Sequence, residues 1–146
     1  MYFTTHLLAG AAAGSLVVGL APTEGAGLAL IAGLVSHIAL DCLPHHDYHK
    51  ARYGFLDAGI GLLLVVYFGG VIQAQTALLG ALGGVLPDLE VVTRHCLAGR
   101  GAVTSQALFP THSGLLRHRA LRLPWGLLIQ LVVAGVCLLT IRPVLG

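Results

Sequence analysis

Five apolar stretches, parted by short polar ones, organise the chain. The first, about Phe3–Leu20, is interrupted only by Thr4, Thr5, His6 and Ser15. The second, about Ala26–Leu43, ends where Pro44 withdraws a backbone donor and stops a helix. A third, about Phe55–Ile72, carries one charge, Asp57, in its first turn. The fourth, about Ala77–Val92, contains Gly80, Gly83 and Gly84 and is expected to kink or loosen at Pro87. The fifth, about Pro124–Ile141, opens with a proline suited to a first helical position and a tryptophan suited to a membrane interface. Each stretch has about 16–18 residues, the short end of what crosses the hydrocarbon of a bilayer. The pattern predicts an all-α, polytopic membrane helix bundle of about five transmembrane helices, forming a single domain over residues 1–146. Polar turns fall at residues 21–25, 44–54 and 73–76, and residues 93–123 form a long polar stretch with a short interfacial helix expected near 112–121.

Composition strengthens this reading. Apolar residues make up 56% of the chain and charged residues 10%, and mean hydropathy is +0.86. Soluble domains carry about 25% charge, enough to cover a core of this size with polar surface. A soluble helical bundle is the competing reading. No lysine or arginine precedes the first stretch, so it is expected to be a retained helix and not a cleaved leader. Cys42, Cys96 and Cys137 lack metal-knuckle spacing and read as buried thiols. A net charge of +2 gives no case for nucleic acid. Gly10 and Gly14 stand at the spacing that lets membrane helices approach closely, although 20 glycines make such a spacing common by chance.

Five crossings put the N-terminus and residues 44–54 and 93–123 on one side. Seven of the eight lysines and arginines fall there, which assigns that side to the cytoplasm of an inner membrane. All eight histidines and five of the six acids fall there too, with only Glu24 elsewhere. His6, His37 with Asp41, Asp57 and Asp88 come from four separate helices at similar depth. His37 and Asp41 share a helix face by their spacing. Ionisable groups at a membrane helix end are costly unless paired, hydrated or bound to an ion. Imidazole and carboxylate together suit zinc first, with manganese or iron as alternatives, as one or two divalent ions. Hydrolysis follows, because such a metal brings a bound water near neutral pKa.

Each residue has a plainer reading. His37 and Asp41 could close a helix end, His6 could snorkel, and Asp57 could serve the helix dipole. Asp88 could cap a turn, and Asp47, Glu90, His46 and His49 read as solvated loop residues. The arginines of the 93–123 stretch read first as topology determinants; a phosphate contact by Arg117, Arg119 or Arg122 is the sharper alternative. Ser36 and Ser113 adjoin histidines in sequence, which is not a catalytic triad. No GxSxG, P-loop, dinucleotide fingerprint or HExxH is present.

Three motifs carry a family resemblance. They are Thr5-His6-Leu7-Leu8-Ala9-Gly10-Ala11, Ser36-His37-Ile38-Ala39-Leu40-Asp41-Cys42-Leu43-Pro44-His45, and Gly80 through Pro87-Asp88, followed downstream by Thr111-His112-Ser113. Together they resemble small prokaryotic inner-membrane proteins described as membrane-bound, metal-dependent hydrolases. A more distant likeness is to the helical zinc-dependent phospholipase C group. The resemblance implies ligand roles for His6, His37, Asp41, Asp88 and His112. The chain departs from it at Phe109-Pro110, where His-Arg is common, and has Glu90 where many members carry a second acid.

The expected function is a membrane-embedded hydrolase cleaving a lipid-linked or amphiphilic ester or phosphoester at the cytoplasmic interface. His45 is expected to join the ligands, and Asp57 to act as a base or further ligand. The competing reading is a non-catalytic metal-binding or assembly protein of the membrane.

Overall fold

The structure is a computed structural model and describes residues 1–20, 25–48, 51–68, 75–98, 107–113, 115–116 and 120–141. Five helices form it: α1 (Phe3–Leu20), α2 (Gly25–Asp41), α3 (Ala51–Val66), α4 (Gln75–Ala98) and α5 (Trp125–Ile141). Among the described residues outside the helices, His45 and Ala120 make an isolated parallel bridge. The chain is all-α, as its apolar periodicity predicts.

Helix α1 is the centre. Every residue from Thr5 to Ala12 is buried, and the helix packs on α4, α2, α5 and α3. Small residues make this possible. A Cβ on Gly10 or Gly33 would overlap the Gly80 carbonyl, and one on Gly80 would overlap the Gly10 carbonyl. The backbones of α1, α2 and α4 therefore meet at Gly80, and the Gly10–Gly14 spacing is a packing surface. Gly84 lies against the His6 carbonyl and Gly14 against that of Thr76, so α1 and α4 run antiparallel. Helix α2 buries one stripe, Gly25, Ala29, Gly33, His37 and Asp41. Three small residues at a four-residue spacing are followed by two metal-type side chains on the same face. The close contact at the small residues thus sets the depth of His37 and Asp41.

Helix α4 differs most from expectation. The sequence places its end near Val92, with a kink or loosening at Pro87; the helix instead runs on to Ala98, with Pro87 inside it. Thr93, Arg94 and His95 are helical and do not begin a loop. The proline costs one backbone hydrogen bond and a local clash, while Gly80, Gly83 and Gly84 lock the preceding turns against α1 and α2. Helix α3 begins four residues earlier than expected, and α2 ends at Asp41, two residues earlier.

The exterior is apolar. Leu63 on α3 is 70% exposed and Leu139 on α5 is 69% exposed, with Leu16, Ile31, Val35 and Leu131 also outward. By length and composition α4 can cross a membrane; α1, α2 and α5 are apolar but shorter in their described parts.

Gln130 ties the cluster end of the fold together. It is buried, accepts from the Tyr2 amide at 2.7 Å and donates to the His46 carbonyl at 2.9 Å. Gly126, one turn earlier, lets the His46 backbone approach α5 closely. Gln130→Leu is predicted to cost about 1–2 kcal/mol, because it leaves two part-buried backbone groups without their partner. A thermal unfolding midpoint equal to that of the parent protein would refute this.

Candidate metal centre

The depth-setting stripes converge on one end of the bundle. His6 stands one turn before Gly10, Asp88 one turn after Gly84, and His37 one turn after Gly33. Loop residue His112 closes over them. Asp41 lies at the middle: its Oδ1 is 3.0 Å from His6 Nε2, and its Oδ2 is 3.1 Å from His37 Nε2 and 3.8 Å from His112 Nε2. His112 Nε2 is also 3.9 Å from Asp88 Oδ1. The His6 and His37 rings stack at 3.8 Å, and His37 meets His112 edge-on at 5.6 Å.

Hydrogen bonding fixes one tautomer and leaves several atoms without a partner. His37 Nδ1 lies 2.7 Å from the Gly84 carbonyl, to which it can only donate, so in the neutral ring Nε2 carries the lone pair. A backbone carbonyl behind an imidazole is the usual arrangement for a metal-binding histidine. Among the described residues, His6 Nδ1 and Nε2, His37 Nε2, Asp88 Oδ2 and His112 Nδ1 are buried without a hydrogen-bond partner. The 3.0 and 3.1 Å approaches to Asp41 therefore satisfy distance but not hydrogen-bond direction at the two Nε2 atoms. Donor atoms of one zinc ion, each at about 2.0–2.1 Å with angles near 90–110°, lie about 2.9–3.4 Å apart. The His6–Asp41 and His37–Asp41 approaches, each to a different carboxylate oxygen, fall in that range, while His112 Nε2 stands farther from Asp41 and Asp88.

Two triads can hold an ion: His6, His37 and Asp88, and His37, Asp41 and His112, with donor atoms all within 4.8 Å of one another in each. Both need His37 Nε2, which has one lone pair. They describe alternative halves of one shell better than two complete sites. Burial pushes the His112 imidazole below its ordinary pKa, keeping it neutral and able to donate a lone pair.

Comparisons with family models, curated proteins and solved structures give no match. Of the seven candidate residues from the sequence, five come together: His6, His37, Asp41, Asp88 and His112. His45 and Asp57 lie beside them. His45 is buried, but its Nδ1 contacts the Leu43 carbonyl at 2.7 Å, and its Nε2 faces Asp47 at 3.0 Å and the Met1 amino group at 2.6 Å. Asp57 accepts the Thr4 amide on Oδ2 at 3.0 Å, while Thr4 Oγ1 donates to the Asp57 carbonyl at 3.1 Å. The carboxylate thereby holds the start of α1, two residues before His6. Burial first, and the Asp57 hydrogen bond second, raise the Tyr48 phenol, which stays a donor to that carboxylate.

Ser36 donates to the Gly33 carbonyl at 2.7 Å and Ser113 to the Pro110 carbonyl at 3.2 Å, so each hydroxyl is engaged by its own segment. His46 spans to the Leu121 carbonyl at 3.1 Å. His49, His118, Glu24, Lys50, Arg100, Arg117, Arg119 and Arg142 lie outside the described residues.

Glu90 is the residue that sequence reasoning misassigned. It is helical, not a solvated loop residue. Its Oε1 accepts the Leu108 amide at 2.7 Å and its Oε2 the Phe109 amide at 3.3 Å. Those bonds anchor the loop that delivers His112, whose own amide bonds back to the Phe109 carbonyl at 3.0 Å. Only the position of Glu90, two residues after Asp88, hinted at a link to the centre. Glu90→Ala is predicted to weaken metal affinity by about tenfold, the low end for outer-shell positioning groups. Titration with zinc against a competing chelator measures this, and an unchanged affinity would refute the positioning role.

Proposed function

We propose that the chain is a multi-pass membrane protein that binds one divalent ion in the His6–His37–Asp41–Asp88–His112 cluster and hydrolyses an ester or phosphoester of an amphiphilic molecule at the cytoplasmic face. The observation that carries this reading is the convergence of buried, partnerless donor atoms from α1, α2, α4 and the His112 loop. Each polar atom left unpaired in a core costs about 1–3 kcal/mol, and an ion taking one nitrogen from each imidazole would recover part of it. The apolar exterior supports a lipid environment, since helices exposing Leu63, Leu139 and Leu131 outward gain nothing from water. Arg52, Arg94 and Arg122 stand at the cluster end, which favours the cytoplasmic assignment.

In this reading zinc is the first choice, with manganese or iron as alternatives. When bound, the ion would supply Lewis acidity and an acidified water. The chain's own groups do the rest. His37 is oriented by Gly84, and Asp41 holds the imidazoles of His6 and His37 at fixed spacing. Asp88 Oδ2, buried and unpartnered, accepts a proton from the attacking water. Asp57 takes a positioning part, because its carboxylate is engaged at the start of α1. Metal content of the purified protein tests the binding step, with roughly one ion per chain expected. Finding no stoichiometric zinc, manganese or iron, before or after reloading, rejects it. Phospholipid turnover tests the chemistry. Equal turnover by the parent protein and Asp88→Ala would reject hydrolysis and leave a metal-binding membrane protein.

A further inference from the structure

A groove of about 360 Å³ runs between α3 and the far half of α4. Its inner end is Asp88, one of the cluster's ligands. From there it passes Phe3, Phe55, Ala58, Val91 and Val92. Phe55 is 62% exposed, and Val91 and Val92 are 45% and 43% exposed, so the groove opens sideways onto the apolar flank of the bundle. A second groove, of about 570 Å³, lies on the other side of Tyr48 and reaches Asp57 and His46 but no member of the cluster. Of these two, the first joins the cluster to the apolar exterior.

We infer that this groove seats the hydrocarbon chain of a membrane lipid, with the lipid's ester or phosphoester held at Asp88. The inference rests on the proposed metal centre for its head-group end and names the substrate class that centre would take. The chemistry of the lining decides the occupant. A carboxylate beside the imidazole cluster is part of the lining, and most of the rest is apolar, with Tyr48, His95 and Cys96 as its other polar side chains. A water-soluble ester would gain nothing from Phe55, Ala58, Val91 and Val92. A chain entering from the side leaves the bilayer only at its head, so no part of it crosses water. Helix α3 suits this use because, of the other helices, it packs on α1 and presents Leu56, Leu62, Leu63 and Val66 outward.

The test reconstitutes the full chain with zinc in vesicles of phosphatidylethanolamine and phosphatidylglycerol. The vesicles contain a phospholipid with a photoactivatable diazirine in one acyl chain, and labelled residues are mapped by mass spectrometry. Occupancy should rise about fourfold for each methylene buried, so labelling at Ala58, Val91 and Val92 is expected to exceed that at Leu131 and Leu139 on α5 by at least about tenfold. Ala58→Trp fills the groove and should reduce groove labelling to the α5 level while helicity and zinc content hold. Should Ala58→Trp lose helicity, Val92→Trp makes the same measurement from the α4 wall. Labelling at the groove no greater than on α5, or unchanged by the filling variant that folds, overturns the inference. Protein that labels at the groove but retains no metal upholds the groove and rejects the hydrolase. Metal-loaded protein with only background labelling does the reverse.

Discussion

Asp41→Ala is expected to lower metal affinity by at least about a hundredfold and to abolish turnover, since it removes a ligand where loss of outer-shell partners alone costs about 10–100-fold. The Asp41 carboxylate approaches three of the cluster's imidazoles. Its two oxygens reach His6 at 3.0 Å, His37 at 3.1 Å and His112 at 3.8 Å. The effect on the metal-free protein should be far smaller. An imidazole need not carry a charge, and the Met1 ammonium, 3.5 Å from Asp41, keeps Asp47 at 3.1 Å, so deleting the carboxylate removes contacts worth about 1–3 kcal/mol. Asp41→Asn keeps the shape and one oxygen, and should fall between the two in affinity. Chelator-competition titration of zinc, beside thermal unfolding of the metal-free protein in detergent, separates these quantities. An Asp41→Ala protein that holds zinc as tightly as its parent would remove Asp41 from the centre, and with it the His37–Asp41–His112 triad.

Much of this centre is legible in the chain because its placement follows from helix geometry. His37 and Asp41 are four apart, so they share a face wherever the helix lies. His6 and Asp88 end up at one level because apolar segments of similar length alternate in direction. The structure adds a physical cause that composition could not supply. The same i, i+4 stripes that hold the glycines also hold the ligands, so close packing aligns them. What was not legible depends on contacts between segments far apart in sequence. Glu90 has the composition of a loop residue, and only the fold brings the Leu108 and Phe109 amides to it. Asp57 resembles a catalytic acid in sequence; the Thr4 amide that engages it is 53 positions away. Gln130 carried no sequence signal, because a single amide in an apolar helix is common. The end of α4 also depends on more than local sequence: the helix runs past Val92 to Ala98, with Gly80, Gly83 and Gly84 held against α1 and α2 ahead of Pro87.

Those contacts make Gly80→Val the other substitution with a large expected effect. A Cβ at this position would overlap the Gly10 carbonyl and stand 2.8 Å from Gly14 Cα, while Gly33 on α2 approaches the Gly80 carbonyl from its own side. Three backbones meet there, so no flexible side chain can swing aside to make room. Overpacking a rigid interior costs about 1–3 kcal/mol, and this site belongs at the upper end. Gly27→Ala and Gly59→Ala are the controls. Neither glycine has any atom within 4 Å of an added Cβ. A helical glycine replaced by alanine in open space should gain about 0.5–1 kcal/mol. The comparison with Asp41→Ala carries the functional content. If the glycine contacts set the depth of His6, His37 and Asp88, separating the helices displaces ligands from three segments at once. Gly80→Val should then lose stability and zinc affinity together, whereas Asp41→Ala loses mainly affinity. Unfolding and zinc titration on the same preparations measure both. A Gly80→Val protein that melts earlier yet binds zinc normally would uncouple the helix contacts from the centre and require another cause for the alignment of its ligands.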